Sequence, residues 1–313
     1  MYDVVVIGAG PAGLAAAAYT ARGRLSTLII APEFTGKAGW RLGLPWLQGR
    51  EVILGEETVE QLRQIIISDP RIARRLETVE TVFRRERVFH IMTAEGGAYH
   101  ARAVVVATGV SPRPLGVPGE QRLLGYGVTY SAVSHAHVFE GRRVAVVGAD
   151  LRALRAVQEL RRVAAHVTLV PVGQADLGSF RLARHLMRDD RVTVLAGHVA
   201  VEILGDDRVS GLVVADQDGN RRTIPLEGVF IENGLVAHTE FLGALVARTL
   251  LGQIVVDARG ATSCPGIYAA GDITETAHAE QILIALGEGA KAGLSVCADM
   301  DAPAADQPQD VPV

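Results

Sequence analysis

The sequence predicts an α/β fold made of two parallel-sheet units, each a strand, a glycine turn and a helix, and three observations predict it. The first is the N-terminal stretch MYDVVVIGAGPAGL, where the apolar run Tyr2 to Ile7 passes directly into Gly8, Gly10 and Gly13 and then into an alanine-rich helix, Leu14 to Ala21. The second is a repeat of that layout, with the strand Arg143 to Val147, a turn from Gly148 to Ala153 and a helix through Arg161. The third comes late, where Gly266 to Asp272 (GIYAAGD) leads into a helix from about Ala279 to Ala298 and completes the first pattern.

The G-x-G-x-x-G spacing carries chemistry because each glycine answers a different need. Gly8 allows the tight turn, Gly10 lets backbone approach a pyrophosphate, and Gly13 lets helix and strand pack closely, with Pro11 and Ala12 filling the motif. Anionic phosphate then meets unsatisfied N–H groups at the helix N-terminus. Thr27 to Ile30 form the second strand, and Glu33 follows Gly13 at the distance from which an acid accepts hydrogen bonds from a ribose. Pro32 leaves a second reading open, in which Glu33 is displaced from the strand end and simply exposed. The glycine-rich loop Phe34 to Gly49 holds both tryptophans, Trp40 and Trp46, read either as packing anchors or as the border of a flat cofactor ring.

Thr58 to Leu76 has the pattern of a helix, followed by strands at Val79 to Phe83, Arg87 to Thr93 and Ala103 to Ala107, with a turn at Gly96-Gly97. The last of these strands ends in Thr108-Gly109, and the stretch SPRPLGVPGE then marks a domain boundary. In the second unit Asp150 stands at the second glycine position and Ala153 at the third, so a carboxylate occupies the place where backbone should approach a pyrophosphate. Two negative charges about 4 Å apart repel by roughly 1 to 4 kcal/mol between water and protein surface. The strand His166 to Val170 ends in Pro171-Val172-Gly173, with no arginine for a 2′-phosphate and no acid for a 2′-hydroxyl. The second unit therefore reads as a Rossmann-like shell with a degraded nucleotide site. Gly228 to Asn233 closes it, and Gln253 to Val256 reads as a strand of the returning first unit. Past Asp299 the acidic, proline-rich tail is expected to be disordered.

Composition sets the outer limits. The chain has 313 residues, 49% hydrophobic and 21% charged, which suits two domains with separate cores. A net charge of −4 gives no electrostatic case for nucleic acid, and the clusters Arg71, Arg74, Arg75 and Arg84, Arg85, Arg87 read as solvated faces. The first apolar run has no basic leader and is interrupted long before membrane-spanning length, so the expectation is a cytoplasmic protein without membrane attachment. Cys264 and Cys297 are too few and too far apart for a disulfide framework, a C-x-x-C pair or a zinc site. No metal site is expected: His135 and His137 lack a third ligand nearby.

Taken together, GAGPAG, Ala107-Thr108-Gly109, the second turn and YAAGD before a glutamine-bearing helix resemble the low-molecular-weight thioredoxin reductases, flavoproteins of the pyridine nucleotide-disulfide oxidoreductase superfamily. The resemblance covers about residues 2 to 298 and implies an FAD-binding domain (1–115 and 245–298) split around a second dinucleotide-binding-type domain (118–242), a tail at 299–313, and a homodimer. It also implies that Gly8, Gly10, Pro11, Ala12 and Gly13 hold the FAD diphosphate and that Thr108 and Gly109 line its path. By the same resemblance Gly271 and Asp272 meet the ribityl and phosphate region, and Gln281 lies near the pyrimidine edge of the flavin. Where the family has Arg-Gln this chain has Glu280-Gln281, with one extra residue after Asp272.

The departures bear on function. Ser131 and Ser134 stand at the places of the family's redox-active cysteines, and His135 where an aspartate is usual. A hydroxyl does not perform thiolate exchange. The sequence therefore predicts an FAD-dependent oxidoreductase without a dithiol active site that does not use NADPH in the family's way. Its electron partner is a small redox protein, a quinone-like molecule or oxygen, and His135 is a candidate proton donor beside the ring. His278, before the last helix, is read either as approaching the flavin or as a capping-region residue without a catalytic role. Two alternatives stay open: an NAD(P)H-dependent reductase like the cysteine-free ferredoxin reductases, and a flavin-binding module without turnover.

Overall fold

The structure, a computed structural model, describes residues 1–34, 36–39, 42–47, 55–173, 177–277 and 280–301, and the chain divides into two compact units. The first comprises Met1–Gly39, Gly55–Ser111 and Val236–Val313; the second comprises Trp40–Leu54, of which 42–47 are described, and Pro112–Leu235. The fold is α/β with parallel sheets.

In the first unit Ile72–Arg75, Thr27–Ile30, Tyr2–Ile7 and Ala98–Val106 run side by side in parallel. Val4 to Ile7 and Thr27 to Ile30 are buried throughout, as a sheet covered on both faces requires. Ala98–Val106 divides its outer edge. Its first half pairs antiparallel with Val88–Thr93, which continues to Val79–Arg85, while Val104 to Val106 pair in parallel with Ile267–Ala269. That late strand brings the Gly271-Asp272 turn to the same end of the sheet as the Gly8 turn.

The helix Pro11–Arg22 lies on this sheet and packs against the last helix, Ile282–Asp301. Contact is made through small residues. A Cβ at Gly289 would lie 2.0 Å from the Ala12 carbonyl oxygen, and one at Gly293 would lie 2.9 Å from that of Ala16. Neither position has room for a side chain.

Three expectations for this unit are corrected. The helix expected over Thr58 to Leu76 is Glu56–Ser68, and Ile72–Arg75 is an edge strand instead. Pro70 is the reason, because it disfavours helical backbone at Asp69, which is extended at φ −80°, ψ 114°. Gln253 to Val256 is not a strand: Ile254 makes isolated bridges to Arg248 and Thr274 only, just after a turn at Gly252 (φ +82°). The last helix runs past Ala298 to Asp301, so 299–301 are helical, and residues 302–313 lie outside the described residues.

The second unit has a five-stranded parallel sheet in the order Val192–Val194, His166–Val170, Arg143–Val147, Gly228–Ile231, Val128–Thr129. An antiparallel sheet of Val199–Leu204, Gly211–Ala215 and Arg221–Pro225 belongs to the same unit. The helix Leu151–Leu160 buries Ala153, Leu154, Ala156, Val157 and Leu160 in its core. Residues 42–47, which the domain boundaries expected from the sequence assign to the first unit, pack here: Leu44 and Leu47 are buried, and Trp46 Nε1 donates to the Val138 carbonyl at 2.7 Å. Among the described residues, no helix is long and apolar enough to cross a membrane.

The helix contact gives a first prediction. Alanine is the better helix former by about 1 kcal/mol, yet Gly289→Ala is expected to destabilise the protein by about 1–3 kcal/mol through overpacking. Urea unfolding measures this, and an unchanged or raised midpoint would show that the two helices separate freely.

Candidate functional site

The candidate site of the first unit is built around Gly8 to Gly13. Gly8 takes φ +105°, and a Cβ there would sit 2.3 Å from the Ala107 carbonyl oxygen; one at Gly13 would sit 1.9 Å from that of Gly8. These two glycines lock turn, helix and neighbouring strand together. Gly10 is different. Its backbone, φ −73° and ψ −177°, suits any residue, and no protein atom lies within 4 Å of where its Cβ would be. It is the N-cap of the helix, no side chain caps that helix, and Pro11 in the first turn has no N–H to offer. The first-turn donors of Ala12 and Gly13 thus face open space under the positive end of the helix dipole.

Other groups of the same unit gather at this opening. A Cβ at Gly36 (φ +53°) would lie 3.3 Å from Gly10 Cα, and one at Gly271 (φ +79°) would lie 2.9 Å from Ala12 Cβ. Lys37, in the short turn Gly36–Gly39, donates to Asp272 Oδ2 at 2.8 Å and to Glu280 Oε1 at 2.5 Å. Burial opposes the Lys37 ammonium, but the two carboxylates outweigh it and hold its pKa above the ordinary lysine value. The Gly271 N–H donates to Glu288 Oε2 at 2.7 Å, and burial pushes the Glu288 carboxyl up, with Asp272 adding to the rise. Gln281 Nε2 is buried with no hydrogen-bond partner among the described residues. Gly109 (φ +66°) has nothing within 4 Å of its Cβ position, and Thr108 Oγ1 donates to the His238 carbonyl at 3.1 Å. Glu33 is exposed, with no side-chain hydrogen bond among the described residues. Trp40 and His278 lie outside the described residues; the Trp46 ring packs edge-on to Phe139 and under the Arg142 guanidinium, which is packing within the second unit.

The turn of the second unit has the same frame and the opposite ending. A Cβ at Gly148 would meet the Glu232 carbonyl oxygen at 2.2 Å, as Gly8 meets Ala107. The N-cap is Asp150, whose carboxylate accepts the Ala153 N–H at 3.0 Å. The helix terminus is therefore capped by the chain itself. Next to it Arg152 Nε bonds Glu232 Oε2, Arg152 Nη2 donates to the Tyr130 carbonyl at 2.9 Å, and Glu232 Oε1 accepts the Ala132 N–H at 3.0 Å.

Ser131 and Ser134 are bound to each other. Ser131 N-caps the one-turn helix Ala132–His135, accepting the Ser134 N–H at 3.3 Å and donating its hydroxyl to Ser134 Oγ at 3.1 Å. His135 is buried, with Nδ1 2.6 Å from Thr129 Oγ1 and Nε2 without a partner among the described residues. Burial, helped by His137, lowers its pKa to about 4, so the ring is neutral near pH 7. Among the described residues no cluster of three or more histidine, cysteine or acidic side chains is arranged for a metal ion.

Residues 2–289 match the model of the family described as pyridine nucleotide-disulphide oxidoreductase. The chain belongs to this family. It is 36% identical to a flavoprotein-family relative from Pseudomonas aeruginosa that is one component of alkyl hydroperoxide reductase, and 33% identical to a protein named NADH dehydrogenase of Bacillus subtilis, each match covering 94% of this chain and 57% of the relative. The chain thus spans little more than half the length of these relatives. The crystal structure of thioredoxin reductase from Streptococcus pyogenes superposes with a TM-score of 0.84 at 30% identity, covering 95% of this chain and 97% of that one. Members of the family are typically FAD-binding flavoproteins, and the two dinucleotide-type turns are the expected frame for such a protein.

Sequence reasoning missed Lys37 and Glu288 as parts of this family member's site. Lys37 lies 235 residues from Asp272 in a loop read only for its glycines and tryptophans. Glu288 had a faint signal, two turns into a helix whose first turn was already assigned to the site.

The His135 environment predicts a pH dependence. The unfolded histidine takes up a proton near pH 6.5 and the folded one only near 4, so the unfolded state gains protons first as pH falls. Stability is expected to drop by up to about 1.4 kcal/mol per pH unit between those values. Urea unfolding of the wild type and of His135→Gln at pH 7, 6 and 5 checks this; parallel losses in both would remove His135 as the cause.

Proposed function

We propose that this chain is an FAD-binding oxidoreductase of thioredoxin reductase-like build that works without a dithiol and does not take NADPH through the family's second glycine turn. The observation that carries the reading is the contrast between Gly10, which leaves a helix N-terminus open, and Asp150, which closes the equivalent one with its own carboxylate. The residues of the first unit fit FAD. The uncapped donors at Ala12 and Gly13 suit its diphosphate, with Gly8 and Pro11 shaping the turn and Thr108 and Gly109 beside it. Asp272, oriented by Lys37, suits the ribityl hydroxyls, and the unpartnered amide nitrogen of Gln281 suits a carbonyl oxygen of the ring.

When bound, the flavin supplies the redox chemistry. The chain orients it. Ser131 and Ser134, bonded to each other, take no part in thiol exchange, and the electron partner is a small redox protein or a small molecule. His135, neutral and buried, suits the transfer of a proton only where its Nε2 becomes accessible. As in related reductases, the working form is a homodimer in the cytoplasm.

The similarity to a protein named NADH dehydrogenase favours a second reading, in which NADH is the donor. Pro171 and Val172, which offer no cation to a 2′-phosphate, are compatible with NADH and not with NADPH.

An anaerobic absorbance titration separates these readings. The expected result is a yellow protein that stays oxidised with NADPH and is reduced by dithionite. Bleaching by NADH alone selects the second reading, rapid bleaching by NADPH overturns the first, and a colourless protein that takes up no added FAD overturns both. Gly10→Asp adds a test of the site itself, because the backbone and the open space accept the side chain. A carboxylate about 4 Å from phosphate costs roughly 1 to 4 kcal/mol, so FAD affinity is expected to fall at least tenfold with the fold intact, and unchanged flavin retention would refute the placement.

A further inference from the structure

We propose that an arginine-lined cavity in the second unit binds a phosphorylated, ring-bearing small molecule of nucleotide size. The cavity measures about 570 Å³ and is bordered by Pro45, Trp46, Arg142, Arg143, Arg208 and Glu227, together with neighbouring residues of the strand connections. Its volume falls within the range of small-molecule sites.

The cavity is a different place from the degraded turn. Arg142 and Arg143 lie where the strand Arg143–Val147 begins, whereas the Gly148 turn follows its far end. Five residues of parallel strand, at about 3.3 Å each, put roughly 16 Å between them. A ligand here neither needs nor meets Asp150.

The charge balance within the cavity defines what it recognises. Three guanidinium groups face one carboxylate, and that carboxylate is fully engaged: Glu227 Oε1 accepts from Arg142 Nη1 at 2.7 Å and Oε2 accepts the Arg143 N–H at 3.1 Å. Arg142 is further fixed over the Trp46 ring, 4.5 Å from its centroid. The side chains of Arg143 and Arg208 are left exposed, and among the described residues neither donates a hydrogen bond. Two free guanidinium forks in one concavity match the oxygens of a phosphate or diphosphate, which they bind in bidentate fashion. Trp46 and Pro45 border the same space with apolar surface, the complement of a ring. A concave site of this size favours a small molecule over the face of a protein partner.

Isothermal titration with ADP, pyrophosphate and adenosine tests the proposal. ADP is expected to bind saturably and pyrophosphate more weakly, while adenosine gives no heat. The double variant Arg143→Gln, Arg208→Gln is expected to weaken ADP at least tenfold without lowering the melting temperature, since neither side chain bonds within the fold. Asp150→Ala is expected to leave ADP binding unchanged. The proposal is overturned if neither ADP nor pyrophosphate binds at millimolar concentration or if the double variant binds ADP like the wild type. It is equally overturned if binding survives the double variant and disappears in Gly10→Asp, because the ligand then occupies the first turn.

Discussion

Backbone meets backbone at the start of this chain with no side chain between, and the rest of the first unit is arranged around that contact. The Gly13 Cα faces the Gly8 carbonyl, Gly8 faces that of Ala107, and Gly289 of the last helix faces that of Ala12. Each distance is too short for a Cβ. The first strand, its helix, the strand leading to Thr108 and the final helix are thereby drawn to one point, where every close approach requires glycine. The pieces come from both ends of the sequence, so the split of the unit around an inserted one follows from this meeting.

The consequence for chemistry is a helix N-terminus that has donors and no acceptor of its own. The second unit shows that such openness is a choice. It keeps the close contact at Gly148 and repeats the parallel sheet, but Asp150 turns inward and satisfies the helix that carries it. One carboxylate converts an anion site into a structural cap, because the N–H groups that receive phosphate are the groups a side chain satisfies. Ser131 and Ser134 show the same tendency, with their hydroxyls engaged in a cap and with each other. Neutral, self-satisfied groups occupy the places where the family carries reactive ones.

The fold was legible where local rules and tertiary demands agree. The strand, turn and helix at each unit's start, the buried parallel strands and the helix-capping position of Asp150 all sit within one short window of chain. Legibility failed where a distant partner or a single proline intervened. Pro70 ended a helix whose apolar spacing continued past it, and Ile254 found one bridge on each side instead of a ladder. Trp46 looked equally suited to a cofactor or to packing, and its partners Val138, Phe139 and Arg142 lie nearly a hundred residues away.

By itself, then, the sequence determined the α/β class, the paired turns and the loss of both cysteines and of the second phosphate site, since these depend on residue identity and on spacing within about twenty positions. Only the tertiary structure decided that Lys37 bridges Asp272 and Glu280, that Glu288 holds the Gly271 turn, and that Arg143 and Arg208 share a cavity whose carboxylate, Glu227, is already engaged. The bonds of Glu288 and Lys37 pair groups across 17 to 243 residues of chain. Electrostatic partnership depends on distance in space, and residue order carries almost no record of it.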